Sequence, residues 1–245
     1  YTSGSISMFP VTDGLLGVAS DTAQHVGSGP NERRQKGPHA HSVNLGPDGR
    51  FLYAADLGID QIKIYDLKAN PGQLTPADPP FAETAPGAGP RHFTFHPNGQ
   101  FAYVINELNS TITGFQVDAS TGALSEIETV STLPKDFSGD NTCADIHITP
   151  DGRFLYGSNR GHDSLAMYRI NPSTGELALI GFHSVLGKTP RNFAIDPSGR
   201  FLLAANQNSD DVVVFKINKS TGELNDTGYR AEVSMPVCIK FVHPH

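Results

Sequence analysis

Apolar residues come in short runs along the chain, some alternating with polar positions and some continuous, cut at regular intervals by Gly, Pro, Asn and Asp. The clearest runs are PDGRFLYAAD at 47, PNGQFAYVIN at 97, PDGRFLYGSN at 150 and PSGRFLLAAN at 197, spaced by 50, 53 and 47 residues. In each, an Asp-Gly, Asn-Gly or Ser-Gly pair lies between two apolar runs. That pattern predicts two short antiparallel strands joined by a two-residue hairpin, with the glycine supplying a positive φ.

A third strand is predicted downstream of each hairpin, at IKIYDL (62), ITGFQV (112), LAMYRI (165) and VVVFKI (212), with ISMFPV at 6 as a fifth copy. The turn signals NPGQL, STGAL, STGEL and STGEL follow, and then a more variable fourth strand such as LALIGFHSV at 177. Four-stranded units repeating at this period are the signature of an all-β fold, the β-propeller. A β-sandwich would have a similar strand density but would not repeat its turns at one period. About five units fit the 245 residues, as one propeller domain over 1–245. The chain opens inside a unit, and MPVCIKFVHPH reads as a first strand without its hairpin partner.

Composition narrows the function classes. The formal charge is −7, from 18 Lys and Arg against 25 Asp and Glu. A mildly acidic chain argues against nucleic acid as a partner, because phosphate backbones are bound by clustered Lys and Arg. No apolar run reaches the roughly 18 residues of a membrane span and no leader is visible, so no membrane partner and a cytoplasmic location are expected. Cys143 and Cys238 match no metal or redox spacing and read as two unpaired buried thiols. No HExxH or CxxC pair supports a metal, and no cofactor is expected.

Aligning the units on the hairpin proline exposes one position six residues upstream: His41, Arg91, Ala144, Arg191 and Cys238. A second position follows the Asp or Asn that closes the second strand: Leu57, Glu107, Arg160 and Gln207. The start of one antiparallel strand lies beside the end of its neighbour, so both sets share one rim, with His39 entering from the connecting loop. Asp56, Asn106, Asn159 and Asn206 recur in every unit and read as structural hydrogen-bonding groups. The residues that differ between units are the candidates for chemistry. Guanidiniums fix anionic oxygens, an imidazole moves a proton near neutral pH, and a carboxylate beside it orients it. Each has a structural alternative: His39 and His41 as satisfied polar residues, Arg91 and Arg191 as bridges between blades, Glu107 as neutraliser of Arg91. The run NERRQK at 31–36 reads as a solvated loop or an anion clamp.

The segments GPHAHSV, GAGPRHFTFHPNGQFAYVINEL, FLYGSNRGHDSLAMY and GKTPRNFAIDPSGRFLLAANQNSDDVVVF resemble the seven-bladed propeller lactonases, a family that includes 6-phosphogluconolactonases and a carboxy-cis,cis-muconate cyclising enzyme. The resemblance implies a hydrolase for a small anionic sugar lactone, with His41 (His39 as the alternative), Arg91 and Glu107 catalytic and Arg191 on the arginine of KTPR. Arg160, Gln207 and His39 join Arg191 as substrate-binding candidates. The expected chemistry is His41, paired with Glu107, activating water. A cycloisomerase and a non-catalytic binding propeller are the alternatives. The family's usual size implies that about two N-terminal blades precede this chain.

Overall fold

The structure is a computed structural model and describes residues 1–242; among these it has twenty strands and no helix. Near the start β1 (Ser5–Met8) pairs with β4 (Asp21–Gln24), and a small hairpin of β2 (Val11–Thr12) and β3 (Leu15–Leu16) projects between them. Four complete antiparallel sheets follow. The first holds β5 (Ala40–Leu45), β6 (Phe51–Asp56), β7 (Gln61–Asp66) and β8 (Thr75–Glu83). The second holds β9 (Pro90–Phe95), β10 (Phe101–Asn106), β11 (Thr111–Val117) and β12 (Leu124–Ser131). The third holds β13 (Thr142–Ile148), β14 (Phe154–Arg160), β15 (Ser164–Ile170) and β16 (Leu177–Ser184), and the fourth β17 (Pro190–Ile195), β18 (Phe201–Asn206), β19 (Asp211–Ile217) and β20 (Leu224–Glu232).

Each sheet is one predicted unit, so the all-β propeller reading holds with four complete blades and a two-stranded fifth. The first strands β5, β9, β13 and β17 contact one another in sequence and line the centre. The core lies between blades, in four clusters, because successive residues of a strand face opposite neighbours. On β6, Phe51, Tyr53 and Ala55 pack with Phe93, Ala102, Val104 and Phe115 of the second blade. Ala54 and Leu52 turn the other way, onto Ile6, Met8 and Ala23 of the β1–β4 pair.

Three local expectations are corrected. The hairpins are four-residue loops: Gly49 N–H donates to Gly46 O at 2.9 Å and Gly46 N–H to Phe51 O at 2.7 Å, with the same pair of bonds in the other three blades. Pro47 has a fixed φ and no N–H, which suits the first central position of a type I turn and moves the turn one residue upstream. Gly49 still carries the positive φ, at 66°. The segment expected as a fifth first strand runs without strand pairing over 236–242, and its last three residues lie outside the described residues. Without a ladder partner it is held where Ile239 N–H donates to Asn192 Oδ1 at 2.7 Å. Cys143 is buried as expected, but Cys238 is exposed on this segment.

The repeating Asp and Asn are structural. All four have 0% exposure. Asp56, for example, accepts from the His39 amide at 2.6 Å and the Gly58 amide at 2.9 Å, fixing the turn that enters the rim.

The STG turns dock on the preceding blade. Gly122 has φ +78°, and a Cβ there would sit 2.6 Å from Phe51 Cδ1; Gly72, at the same place in the first blade with φ +82°, has nothing within 4 Å. Gly72→Ala is expected to cost about 1–2 kcal/mol for the left-handed backbone alone. Gly122→Ala adds about 1–3 kcal/mol for overpacking. Urea midpoints at unchanged slope test the difference; equal losses would mean that the turn does not pack against Phe51.

Candidate active site

His41, Arg91 and Arg191 each occupy a β-bulge. The β5–β6 register passes from Ala40↔Asp56 to Ser42↔Ala55, leaving His41 unpaired, and Arg91 and Arg191 are skipped in the same way. A bulge turns a side chain out of the pleat, which brings these three residues to one mouth of the channel. Glu107 and Arg160 reach that mouth from the ends of β10 and β14.

There His41, Glu107, Arg160 and Arg191 line one pocket of about 590 Å³ together with Tyr1, Arg34 and Thr142. Arg34 and Arg160 continue into an adjoining pocket of about 720 Å³ that also takes Arg33 and Asn141. His39 stands at the edge, its ring stacked on Tyr1 at 4.6 Å and its Nδ1 3.2 Å from Tyr1 O. Arg91 lies beneath, 2% exposed. Gln207 shares the rim through its amide, which donates to Thr189 O, but its side chain lines neither pocket.

Glu107 organises the cations. Arg34 Nη2 lies 2.6 Å from its Oε1, while Arg91 Nε at 2.8 Å and Arg160 Nη2 at 3.0 Å share Oε2. The Arg91 Nε–H does not point at the oxygen, so that contact is ionic rather than a hydrogen bond. Arg91 Nη1 donates to Ala144 O, and Arg160 Nη2 to Cys143 O at 2.8 Å. Burial alone would raise the Glu107 carboxyl, but Arg160, the Arg34 hydrogen bond and Arg91 outweigh it and hold it below its ordinary value. Burial, then the Arg160 charge, brings Arg91 down to about 10. Among the described residues Arg191 makes no ion pair, which leaves a free cation facing the pocket.

The expected His41–Glu107 pair is not formed. Glu107 is occupied by three guanidiniums, and His41 Nδ1 is buried without a hydrogen-bond partner. Burial first, and then the charges of Arg91 and His92, push the His41 imidazole down to about 3. It is neutral at physiological pH. Arg34 was visible in the sequence only as part of NERRQK, and nothing in the repeat pattern marked it as reaching Glu107. Among the described residues no group of three or more His, Cys, Asp or Glu is arranged to hold a metal.

Comparison with known proteins agrees with this architecture. A family model described as "Lactonase, 7-bladed beta-propeller" matches residues 1–241. The 6-phosphogluconolactonase of Bacillus subtilis is 41% identical over 244 residues, covering 99% of this chain and 68% of the relative. That of Pectobacterium carotovorum is 37% identical over 196 residues, 80% of this chain and 55% of the relative. The solved periplasmic gluconolactonase of Pseudomonas aeruginosa superposes with a TM-score of 0.88 at 36% identity, over 98% of this chain and 66% of that one. The chain therefore spans between about half and two thirds of the length of these relatives.

Because the folded Glu107 carboxyl lies below its unfolded value, its stabilisation is fully present above the ordinary carboxylate range and is lost as pH falls through the folded value. Glu107→Gln is expected to cost about 3–5 kcal/mol at pH 7, by leaving buried guanidiniums uncompensated. It should also flatten the loss of stability below about pH 4.5. Thermal unfolding between pH 3 and 7 checks this; parallel wild-type and variant curves would remove Glu107 as the keystone.

Proposed function

The chain belongs to the seven-bladed β-propeller lactonases, and from that premise we propose that it carries the active site of a hydrolase for a small anionic lactone, 6-phosphogluconolactone by preference. The observation that carries this reading is the charge of the rim. Among the described residues, Arg34, Arg160 and Arg191, with Arg91 beneath, stand against one carboxylate in the rim pocket, Glu107: four positive charges less one, three in excess. A phosphomonoester supplies about two negative charges near neutral pH, and its oxygens match guanidinium geometry. The pocket's 590 Å³ is within the usual range for a small ligand.

Each group has a role in water attack on the lactone carbonyl. Arg191 and Arg160 hold anionic oxygens and stabilise the charge that develops on the carbonyl oxygen, an interaction that strengthens as the tetrahedral state forms. Neutral His41 accepts a proton from water. Glu107 and Arg91 are positioning residues: the carboxylate keeps three like-charged guanidiniums convergent, and Arg91 fastens it to the backbone of the third blade. The adjoining pocket is lined by Arg33 and Asn141 and also by the Asp140 carboxylate, and a phosphate at the far end of the substrate would lie on its Arg33 and Arg34 side. His39 and Gln207 border the site. A phosphorylated lactone does not cross a bilayer unaided, which favours a cytoplasmic enzyme; no helix among the described residues is long and apolar enough to span a membrane.

The test is hydrolysis by the full-length protein of 6-phosphogluconolactone generated in situ, with gluconolactone and carboxymuconate for comparison. Wild type should exceed the spontaneous rate. His41→Ala should lower kcat/KM by about 10²–10⁴-fold. Arg191→Ala should raise KM more for the phosphorylated lactone than for gluconolactone. Turnover of carboxymuconate alone would make the protein a cycloisomerase. No turnover of any of the three would make the rim a binding site without chemistry.

A further inference from the structure

Behind His41, on the channel side, lies a cluster that the mechanism above does not use. His92 packs edge-on against the His41 ring, with centroids 5.3 Å apart at 65°, and among the described residues no hydrogen bond joins the two rings. Its Nδ1 is 2.6 Å from Asp145 Oδ1. Asp145 is 2% exposed and saturated with donors: the Ile146 amide at 3.0 Å and the Phe193 amide at 3.2 Å, His147 Nε2 at 3.1 Å, and Asn192 Nδ2. Burial would raise its carboxyl, but His147 and His92 hold it far below the ordinary range. An ionised carboxylate can only accept, so this bond places hydrogen on His92 Nδ1, and in the neutral imidazole Nε2 is then the acceptor. Among the described residues no hydrogen bond engages Nε2, and His92 lines a second pocket of about 380 Å³ with Ser42, His147, Asn192 and Lys240. The two imidazoles thus separate the rim pocket from the channel pocket.

On the reading that the rim hydrolyses a lactone, we propose that His92, oriented by Asp145, is the positioning and proton-accepting partner of His41. The nearest carboxylate to His41, Glu107, is taken up by three guanidiniums, and the buried His41 Nδ1 lacks a partner. His92 has such a counter-charge, so a proton taken up at His41 is stabilised by passing to the His92–Asp145 pair, the arrangement in which a third group orients a base. In the balanced step, the water oxygen bonds the carbonyl carbon while its proton goes to His41 and on to His92. The ring C–O bond then breaks, and its oxygen takes a proton back from the pair and leaves as a hydroxyl. The new carboxylic acid releases its proton to solvent.

An inter-blade tie without a proton role would use the same bonds, so the readout must be one that packing does not move. The groups facing His92 are His41 from β5, Asp145 and His147 from β13, Lys240 from the terminal segment, and its chain neighbour Arg91. In full-length protein that hydrolyses the lactone, His92→Gln should lower kcat by about 10²-fold with KM little changed. Asp145→Asn should shift the acid limb of kcat/KM to lower pH, because the counter-charge is gone. His92 is partly exposed, so its variant is expected to fold even if Asp145→Asn does not. ¹⁵N NMR should show hydrogen on His92 Nδ1 and not on Nε2. Stable variants with wild-type kcat and pH profile, or the opposite tautomer, would overturn the relay while leaving the lactonase reading intact. Absence of wild-type hydrolysis would overturn both.

Discussion

The blades are spaced by one repeated contact, a tyrosine on the second strand bonded to the glycine carbonyl of the next blade's STG turn. Tyr53 Oη donates to Gly122 O at 2.9 Å, Tyr103 to Gly175 at 2.7 Å and Tyr156 to Gly222 at 2.8 Å. The rings of Phe51, Phe101 and Phe154 lie under the same three glycines. All three tyrosines are fully buried, and a buried hydroxyl without a partner costs roughly 1–3 kcal/mol, so the bond is enforced as well as favourable. Arg50 and Arg153 add a second donor to the same turns, at Ser120 O and Lys219 O. Phe-x-Tyr on one blade and Thr-Gly on the next together fix the pitch of the ring. With the pitch fixed, the bulges of consecutive inner strands point to one place.

That place gathers positive charge that repels itself. Arg91 and Arg160 are both pulled below their ordinary values, by burial first and then by other charges that include neighbouring guanidiniums. Glu107 offsets this because it sits at the end of β10, within reach of Arg91 from its own blade, Arg160 from the third blade and Arg34 from the loop before β5. A like charge there, or none, would drive the arginines apart. Such a cluster is preorganised for an anion: the cations are held convergent before the ligand arrives, so little reorganisation opposes binding.

Much of this was legible in the sequence because the repeat is explicit. The strands follow from alternation between turn glycines, and the shared rim follows from antiparallel pairing of the strand carrying His41, Arg91 and Arg191 with the one ending before Glu107 and Arg160. Depth was not legible. Arg91 and Arg191 occupy equivalent positions, yet one is sealed under the site and the other faces the pocket, because only Arg91 has Glu107 above it and the Ala144 carbonyl within reach. Arg34 comes from a loop outside the repeat, where no periodic signal exists. For the hairpin length, the Asp-Gly, Asn-Gly or Ser-Gly pair dominates the local signal, while the deciding constraint is the proline before it. The terminal segment carries the pattern of a first strand, but a pattern forms a strand only where a partner completes the ladder.

The third blade explains how a near-symmetric scaffold produces an asymmetric site. At the bulge position held elsewhere by His41, Arg91 and Arg191 it has Ala144, and its register skips two residues, Ala144 and Asp145, against Ser158 on the partner strand. The Ser158 hydroxyl accepts from the Asp145 amide at 2.9 Å, so a side chain replaces the missing ladder bond. Alanine here leaves its carbonyl open to Arg91, and the wider bulge turns the Asp145 carboxylate toward His92 of the second blade and Asn192 of the fourth. A larger residue at 144 would crowd the Arg91 guanidinium, and a narrower bulge would aim Asp145 elsewhere. One local irregularity, in the blade without its own charged bulge residue, thus anchors Arg91 and orients His92, coupling the rim cations to the histidines of the channel.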